Sequence, residues 1–189
     1  MAEMVFLAVV TIIIALIFDF VNGFHDAANS ISTIVATKVL TPFQAVVMAA
    51  FWNFIGAFVF GVAIAKTVGS GIIVKEAAVT HVLLAALIGA ILWNIITWRL
   101  GLPSSSSHAL IGGLVGAAIA FGGVGMIQFS GLNKIMLFIV VAPVLAVLGA
   151  IMFTVLVFSV SKGFSPLAVN SWFKRLQLVS ASWYSLGHG

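Results

Sequence analysis

Phe18-Asp19-Phe20-Val21-Asn22-Gly23-Phe24-His25-Asp26-Ala27-Ala28-Asn29-Ser30-Ile31-Ser32-Thr33 places two carboxylates, two amides and several hydroxyls inside an otherwise hydrophobic run. An ionisable group in a bilayer interior costs at least about 2.5 to 3.5 kcal/mol and is found beside a partner, an ion or a water-filled cavity, so the stretch is a functional candidate from the outset. Asp19, Asn22, Asp26, Asn29 and Thr33 recur at steps of three and four. On a helix that spacing puts them on one face, with Phe, Val, Ile and Ala over the rest. Gly23 lies within the stripe, and the expected structure is a helix from Met4 to about Asn22, a break that frees backbone carbonyls, and a shorter helical piece from about His25 to Thr37. Irregular backbone at membrane depth is tolerated only where protein covers it or it lines a cavity. Carboxylate, amide and hydroxyl oxygens with freed carbonyls are hard ligands that suit a hard cation. The competing account is a polar seam that holds helices together. Asp26, with His25 beside it and Asn29 one turn on, favours the ion site, whereas Asp19 fits a capping or pairing role equally well.

Around this stretch the chain is apolar: 63% of its 189 residues are hydrophobic and 6% are charged, against about 25% charged in soluble globular domains. Intervals without charge run from Met4 to Phe18, Val39 to Ala65, Ala77 to Trp98, Leu100 to Asn133 and Ile135 to Ser161. Most meet or exceed the roughly 20 residues a helix needs to cross a bilayer. The expected fold is all-α, a polytopic membrane protein. The first hydrophobic segment has Glu3 and no Lys or Arg before Lys38, and it runs into the polar stripe instead of a small-residue cleavage site, so it reads as retained. Cysteine is absent, which excludes disulfides, thiolate metal sites and a cysteine nucleophile. The net charge of +4 belongs to Lys and Arg near segment ends. No loop concentrates enough of it to hold nucleic acid.

In chain order, Lys38, Thr41 and Pro42 mark an exit, and Val39 to Ala65 holds a second span with Trp52 and Asn53 inside it and Gly56 and Gly61 offering close-packing surfaces. Lys66 to Thr80 is expected as a loop containing Gly69-Ser70-Gly71. His81 to Arg99 forms the next span, where Trp93-Asn94, with Thr97 one turn on, echoes Trp52-Asn53. Both asparagines are expected to make interhelical hydrogen bonds worth about 0.6 to 2 kcal/mol, a reading favoured over the alternative of a ligand role. Lys134 to Ser161 is a further span with Pro143 as a bend point. Ser165-Pro166 is expected to start a short interfacial helix carrying Trp172, Lys174 and Arg175, and the chain turns apolar again from Leu176.

A second unusual stretch, Gly101-Leu102-Pro103-Ser104-Ser105-Ser106-Ser107-His108, precedes a glycine-studded apolar segment. Pro followed by Ser signals a helix start, since Pro suits the first turn and Ser hydroxyls cap free N–H groups. Hydroxyls, unpaired N–H groups and the positive end of the helix dipole together favour an anion. The short segment after it, Ala109 to Phe121, suits a re-entrant helical hairpin better than a full span. An oxygen-rich cation site facing such a helix start suggests cation-coupled uptake of a tetrahedral anion, the arrangement secondary transporters build from discontinuous helices. An intramembrane serine hydrolase with Ser106 or Ser107 as nucleophile and His25 or His108 as base is the rival. Adjacent Ser107 and His108 point about 100° apart on a helix, and no Gly-x-Ser-x-Gly elbow is present. An anion channel would use the hydroxyls but leave Asp26 without a task.

Gly23-Phe24-His25-Asp26-Ala27-Ala28-Asn29-Ser30, continuing through Thr37-Lys38-Val39-Leu40-Thr41-Pro42, resembles the signature of the inorganic phosphate transporter (PiT) family. Gly101-Leu102-Pro103-Ser104-Ser105-Ser106-Ser107-His108 resembles its second signature. The resemblance covers essentially the whole chain. It implies a multi-pass protein of the cell membrane (plasma or inner) that carries inorganic phosphate with sodium or protons, built from two inverted repeats and homodimeric, with no organic cofactor. By position it implies Asn29, Ser105, Ser106 and Ser107 for phosphate and Asp26, Asn29 and Asn22 for the cation, Asp26 and Asn29 being the metal ligands if sodium is the coupling ion. Asp19, His25, Thr33, His108 and Ser104 would support them. Sulfate or arsenate would meet the same donors. Family members carry a second Asp/Asn signature that begins with a run like Gly187-His188-Gly189. The expectation is therefore a first repeat over residues 1–175, the start of a second over 176–189, and a site that the second repeat completes.

Overall fold

The computed structural model describes residues 2–60, 71–102 and 104–188. Among them six α-helices follow in order: α1 (Ala2–Ala36), α2 (Pro42–Phe60), α3 (Thr80–Arg99), α4 (Ser106–Gly122), α5 (Phe129–Ser161) and α6 (Pro166–Leu186), with 3₁₀ turns at Lys75–Ala77 and Val124–Met126. The all-α expectation holds. Four of these helices, α1, α2, α3 and α5, are long and apolar enough to cross a membrane, and α4 is apolar but only 17 residues long. Gly61, Lys66 and the Gly69-Ser70 part of the expected loop lie outside the described residues.

The expected break in the first helix is not present. α1 is one helix of 35 residues, and Gly23 does not interrupt it. A glycine in a helix interior costs only about 1 kcal/mol relative to alanine. An uninterrupted helix in an apolar run satisfies its own backbone, whereas a break would leave groups to be partnered elsewhere. The second departure is at the C-terminal end, where the expected short interfacial helix and the apolar stretch after Leu176 are a single helix, α6, of 21 residues. Nothing between Pro166 and Leu186 is a glycine or proline, so no residue stops it.

Local chemistry explains where helices begin and end. α1 closes in a Schellman motif: Val39 N donates to Ile34 O at 2.9 Å and Lys38 N to Val35 O at 3.0 Å, with Lys38 at φ 57°. α2 then opens with a reciprocal capping box, Thr41 N to Gln44 Oε1 at 3.1 Å and Gln44 N to Thr41 Oγ1 at 3.4 Å, around Pro42 at the first helical position. α3 ends in a second Schellman motif, Leu102 N to Thr97 O at 2.9 Å and Gly101 N to Trp98 O at 3.0 Å. Here a glycine, Gly101, takes the left-handed position at φ 65°. Ser165 caps α6 by accepting from Ala168 N at 3.4 Å.

The chain divides into two compact units, residues 2–29 with 71–132 and residues 30–60 with 133–188. In the first, α3 and α4 fold back on each other as a hairpin. Their contact is made by small residues: Ala86 and Ala90 are buried on α3, and a Cβ placed on Gly113 of α4 would lie 2.5 Å from the Ala86 carbonyl oxygen. The far ends of the hairpin are tied by an antiparallel bridge between Ile73 and Ile127, with Val74 N donating to Met126 O at 3.0 Å and Gln128 N to Ile72 O at 2.8 Å. In the second unit α2 packs against α6 around Ile34, Ala45 and Ala181, and Thr37 Oγ1 donates to Gln177 Oε1 at 3.0 Å. α5, 33 residues long, buries none of its residues.

Two substitutions test these contacts. Gly113→Ala forces the α3–α4 hairpin apart, and the expected destabilisation is about 1 to 3 kcal/mol, read as a lower thermal midpoint in detergent. Lys38→Gly removes a side chain from the left-handed region and is expected to stabilise by about 1 kcal/mol in the same assay.

Candidate functional site

The site is built within the first unit, where α1 passes the start of α4. Asp26 on α1 is its centre. Its Oδ1 lies 3.2 Å from Nδ1 of the adjacent His25 and accepts from Asn29 Nδ2 at 3.4 Å. Its Oδ2 accepts from the Ser106 hydroxyl at 3.4 Å across 80 positions of sequence. Ser106 is 1% exposed, so this contact is shielded from solvent. The carboxylate and the serine helix start, recognised separately in the sequence, therefore meet.

His25 is held from both sides. Its Nε2 lies 3.3 Å from Thr97 Oγ1 on α3, and the Thr97 hydroxyl also lies 2.9 Å from Trp93 O and 3.1 Å from Asn94 O. A threonine hydroxyl has a single proton to give. If that proton goes to Nε2, the neutral ring carries its own proton on Nδ1 and donates it to Asp26; if it goes to the Trp93 carbonyl, Nε2 is the donor to Thr97.

The helix start shapes the anion side. Ser105 is the N-cap of α4, with φ −94° and ψ 121°, and its hydroxyl accepts from His108 N at 3.4 Å. Ser106 and Ser107 open α4, so their N–H groups stand at the positive end of the helix dipole, which favours an anion. Ser104 is tied back to α3 by Trp93 Nε1 at 3.3 Å. Beside the cluster lies a pocket of about 190 Å³ lined by His25, Asn29, Trp98, Gly101, Leu102 and Ser104. Its wall is braced by Phe24 against Trp98, with ring centroids 4.8 Å apart. The pocket is several times the roughly 30 Å³ a water occupies in the liquid.

Not all the residues of the polar stripe gather here. Asn22 is half-buried one turn before Asp26, but Asp19 and Thr33 are exposed. Ser107 and His108 are also exposed. Trp93 and Thr97 were not expected to bind at the site. Their cue in the sequence was the pair Trp93-Asn94 with Thr97 one turn on, polar groups in an apolar span, yet nothing in the sequence ties them to His25 at a separation of 72 residues. Among the described residues the interhelical hydrogen bonds expected of Asn53 Oδ1 and of Asn94 are not made. Asn53 Oδ1 and both polar atoms of the Asn94 amide are buried without a partner among the described residues.

Comparison with known proteins decides what this geometry belongs to. The model of the phosphate transporter family matches residues 22–168. The chain belongs to that family. A protein of Rhizobium meliloti (strain 1021) described as a "Probable low-affinity inorganic phosphate transporter" is 53% identical over 178 residues, covering 94% of this chain and 53% of that protein. A protein of Bacillus subtilis (strain 168) with the same description is 44% identical, covering 97% of this chain and 55% of the other. One from Streptomyces halstedii, also so described, is 46% identical, covering 97% of this chain and 86% of its own length. A solved structure, "The sodium-dependent phosphate transporter", aligns with a TM-score of 0.75 at 25% identity, covering 95% of this chain and 54% of that one. The chain thus spans about half the length of the first relatives it matches. The family is one of transporters and not of enzymes, which removes the serine hydrolase.

Thr97→Val tests the clamp on His25. With no hydroxyl at Nε2, the ring loses one of its two partners, and the expected stability loss is about 0.5 to 1.5 kcal/mol, read as a lower thermal midpoint in detergent.

Proposed function

We propose that this chain forms one repeat of a symporter that carries inorganic phosphate across the membrane with a sodium ion or a proton. The observation that carries the reading is the contact of the Asp26 carboxylate with the Ser106 hydroxyl at the start of α4. It sets a cation ligand beside an anion-binding helix end. In this reading Asn29, Ser105, Ser106 and Ser107 hold phosphate oxygens at the N-terminal end of α4. Asp26, Asn29 and Asn22 hold the cation. Two adjacent ions of opposite charge stabilise each other in a low-dielectric site, which is a physical basis for coupling: each enters more favourably when the other is present. His25 positions the carboxylate, and Ser104 shapes the pocket. His108 and Ser107, exposed in this chain, are side chains that a second repeat would cover.

The hairpin of α3 and α4 supports a re-entrant element, since α4 at 17 residues is about 25 Å long against a hydrocarbon core of about 30 Å. The matching half-length in the relatives supports an inverted second repeat, with 1–175 as the first and 176–189 leading into the next, and a multi-pass place in the plasma or inner membrane as a homodimer. For the coupling ion, the name of the structural neighbour supports sodium. His25, whose side chain is 6% exposed and which faces Asp26, supports a proton. Monohydrogen phosphate is favoured over sulfate because it keeps a proton to donate to a carboxylate or carbonyl.

The test is uptake of labelled phosphate into liposomes holding the purified protein, under an imposed sodium gradient or an imposed proton gradient. Asp26→Asn is expected to abolish dependence on the gradient, and Ser105→Ala or Ser106→Ala to raise the phosphate concentration for half-maximal uptake about tenfold. Equal effects of every change on both ions would contradict the roles. Uptake that appears only when a second repeat is co-expressed would place this chain as half of the site.

A further inference from the structure

Asn94 is 0% exposed, and neither Oδ1 nor Nδ2 of its amide has a hydrogen-bond partner among the described residues. A buried amide left unpaired is a standing cost to the fold. Further polypeptide cannot relieve it, because the side chain is already closed over. Only something the size of an ion or a water can reach it.

Its position says which. The buried stripe of α3 runs Val82, Ala86, Ala90, Asn94, Thr97 and turns toward α4, where Gly113 lies against the Ala86 backbone. In an antiparallel hairpin, the eight residues from Ala86 to Asn94 (94 − 86) answer eight residues back from Gly113, which is position 105, so Asn94 stands level with Ser105 and Ser106. Ser106 is the residue whose hydroxyl reaches Asp26. One turn beyond Asn94, Thr97 holds His25.

Asp26 is itself loosely held. Its three contacts measure 3.2, 3.4 and 3.4 Å, where hydrogen bonds to a charged carboxylate are usually about 2.5 to 2.9 Å. The cluster therefore contains an under-coordinated carboxylate, a hydroxyl and an unpartnered amide oxygen at one level of the hairpin. An anion there would face Asp26.

We propose that Asn94 is a ligand of the coupling cation, its Oδ1 joining the Asp26 carboxylate, at the level of Ser106, in an oxygen set for a sodium-sized ion. The proposal rests on the cation-coupled reading above and adds a residue to that site. Oxygen donors of mixed charge suit such an ion, and its binding would give the buried amide the partner it lacks.

The experiment is a sodium titration of the protein in lipid nanodiscs, with choline holding ionic strength constant, read as the shift in thermal midpoint. A ligand that binds only the folded state raises stability in proportion to ln(1 + [L]/Kd). For Asn94→Leu, which keeps the branched shape at Cγ and removes both polar atoms, the expected result is an apparent sodium Kd raised at least about tenfold. An unchanged sodium Kd in Asn94→Leu would overturn the proposal and leave Asn94 with a water. Should Asn94→Leu not fold, Asn94→Ser is titrated in its place, with the same expectation and the same overturning result. A midpoint in the unmodified protein that does not respond to sodium, with phosphate uptake driven by a proton gradient, would overturn the assignment of Asn94 and leave the transport reading standing. Absence of uptake on either gradient, with or without a second repeat, would overturn the transport reading instead.

Discussion

A carboxylate inside an apolar helix has to be paired, and the arrangement of the first unit follows from how Asp26 meets that requirement. It does so incompletely. One partner is its neighbour on the chain, one is a turn away, and the third comes from a different helix across 80 positions. Among the described residues no lysine or arginine pairs with it; the facing groups are an imidazole, an amide and a hydroxyl. A full salt bridge would neutralise the charge permanently, whereas weak, neutral donors leave it available to an incoming ion.

Delivering Ser106 to that carboxylate is the work of the α3–α4 hairpin. Small residues let the two backbones approach until Gly113 touches Ala86, a packing mode suited to lipid, where apolar burial alone does not drive helices together. The Schellman turn at Gly101 reverses the chain within a few residues, and Ser105 then caps α4. The bridge between Ile73 and Ile127 closes the hairpin at its other end. The serine helix start is thus fixed at both ends of the element that carries it. Such fixing matters to the Asp26–Ser106 contact, because a shift of about 1 Å exceeds the tolerance of a hydrogen bond.

The polar groups that are buried without partners divide by position. Those of Asn94 lie at the level of the ion cluster, while Asn53 and Ser185 belong to the second unit. Long apolar helices with little polar content and one dense polar knot are what a membrane transporter requires: most of the surface is solvated by lipid, as α5 with no buried residue illustrates, and the cost of buried polarity is concentrated where a ligand repays it.

Much of this was legible in the residues alone. The fold class followed from charge-free intervals long enough to span a bilayer, and the chemistry from Asp26, Asn29 and the serines before His108, because polar residues are costly in such runs and their presence is informative by itself. Turn chemistry at Thr41-Pro42 and Ser165-Pro166 was equally local. What the sequence could not decide was whether Gly23 breaks α1, since the roughly 1 kcal/mol penalty of a helical glycine is smaller than the cost of unsatisfied backbone in an apolar setting. Nor could it say that Thr97 would clamp His25, that Asn94 would be buried unpaired, or that Asp19, Thr33, Ser107 and His108 would turn outward. Those outcomes depend on the rotation and register of one helix against another. Spacing along a single helix fixes which residues share a face, but only the packed tertiary structure chooses what that face meets.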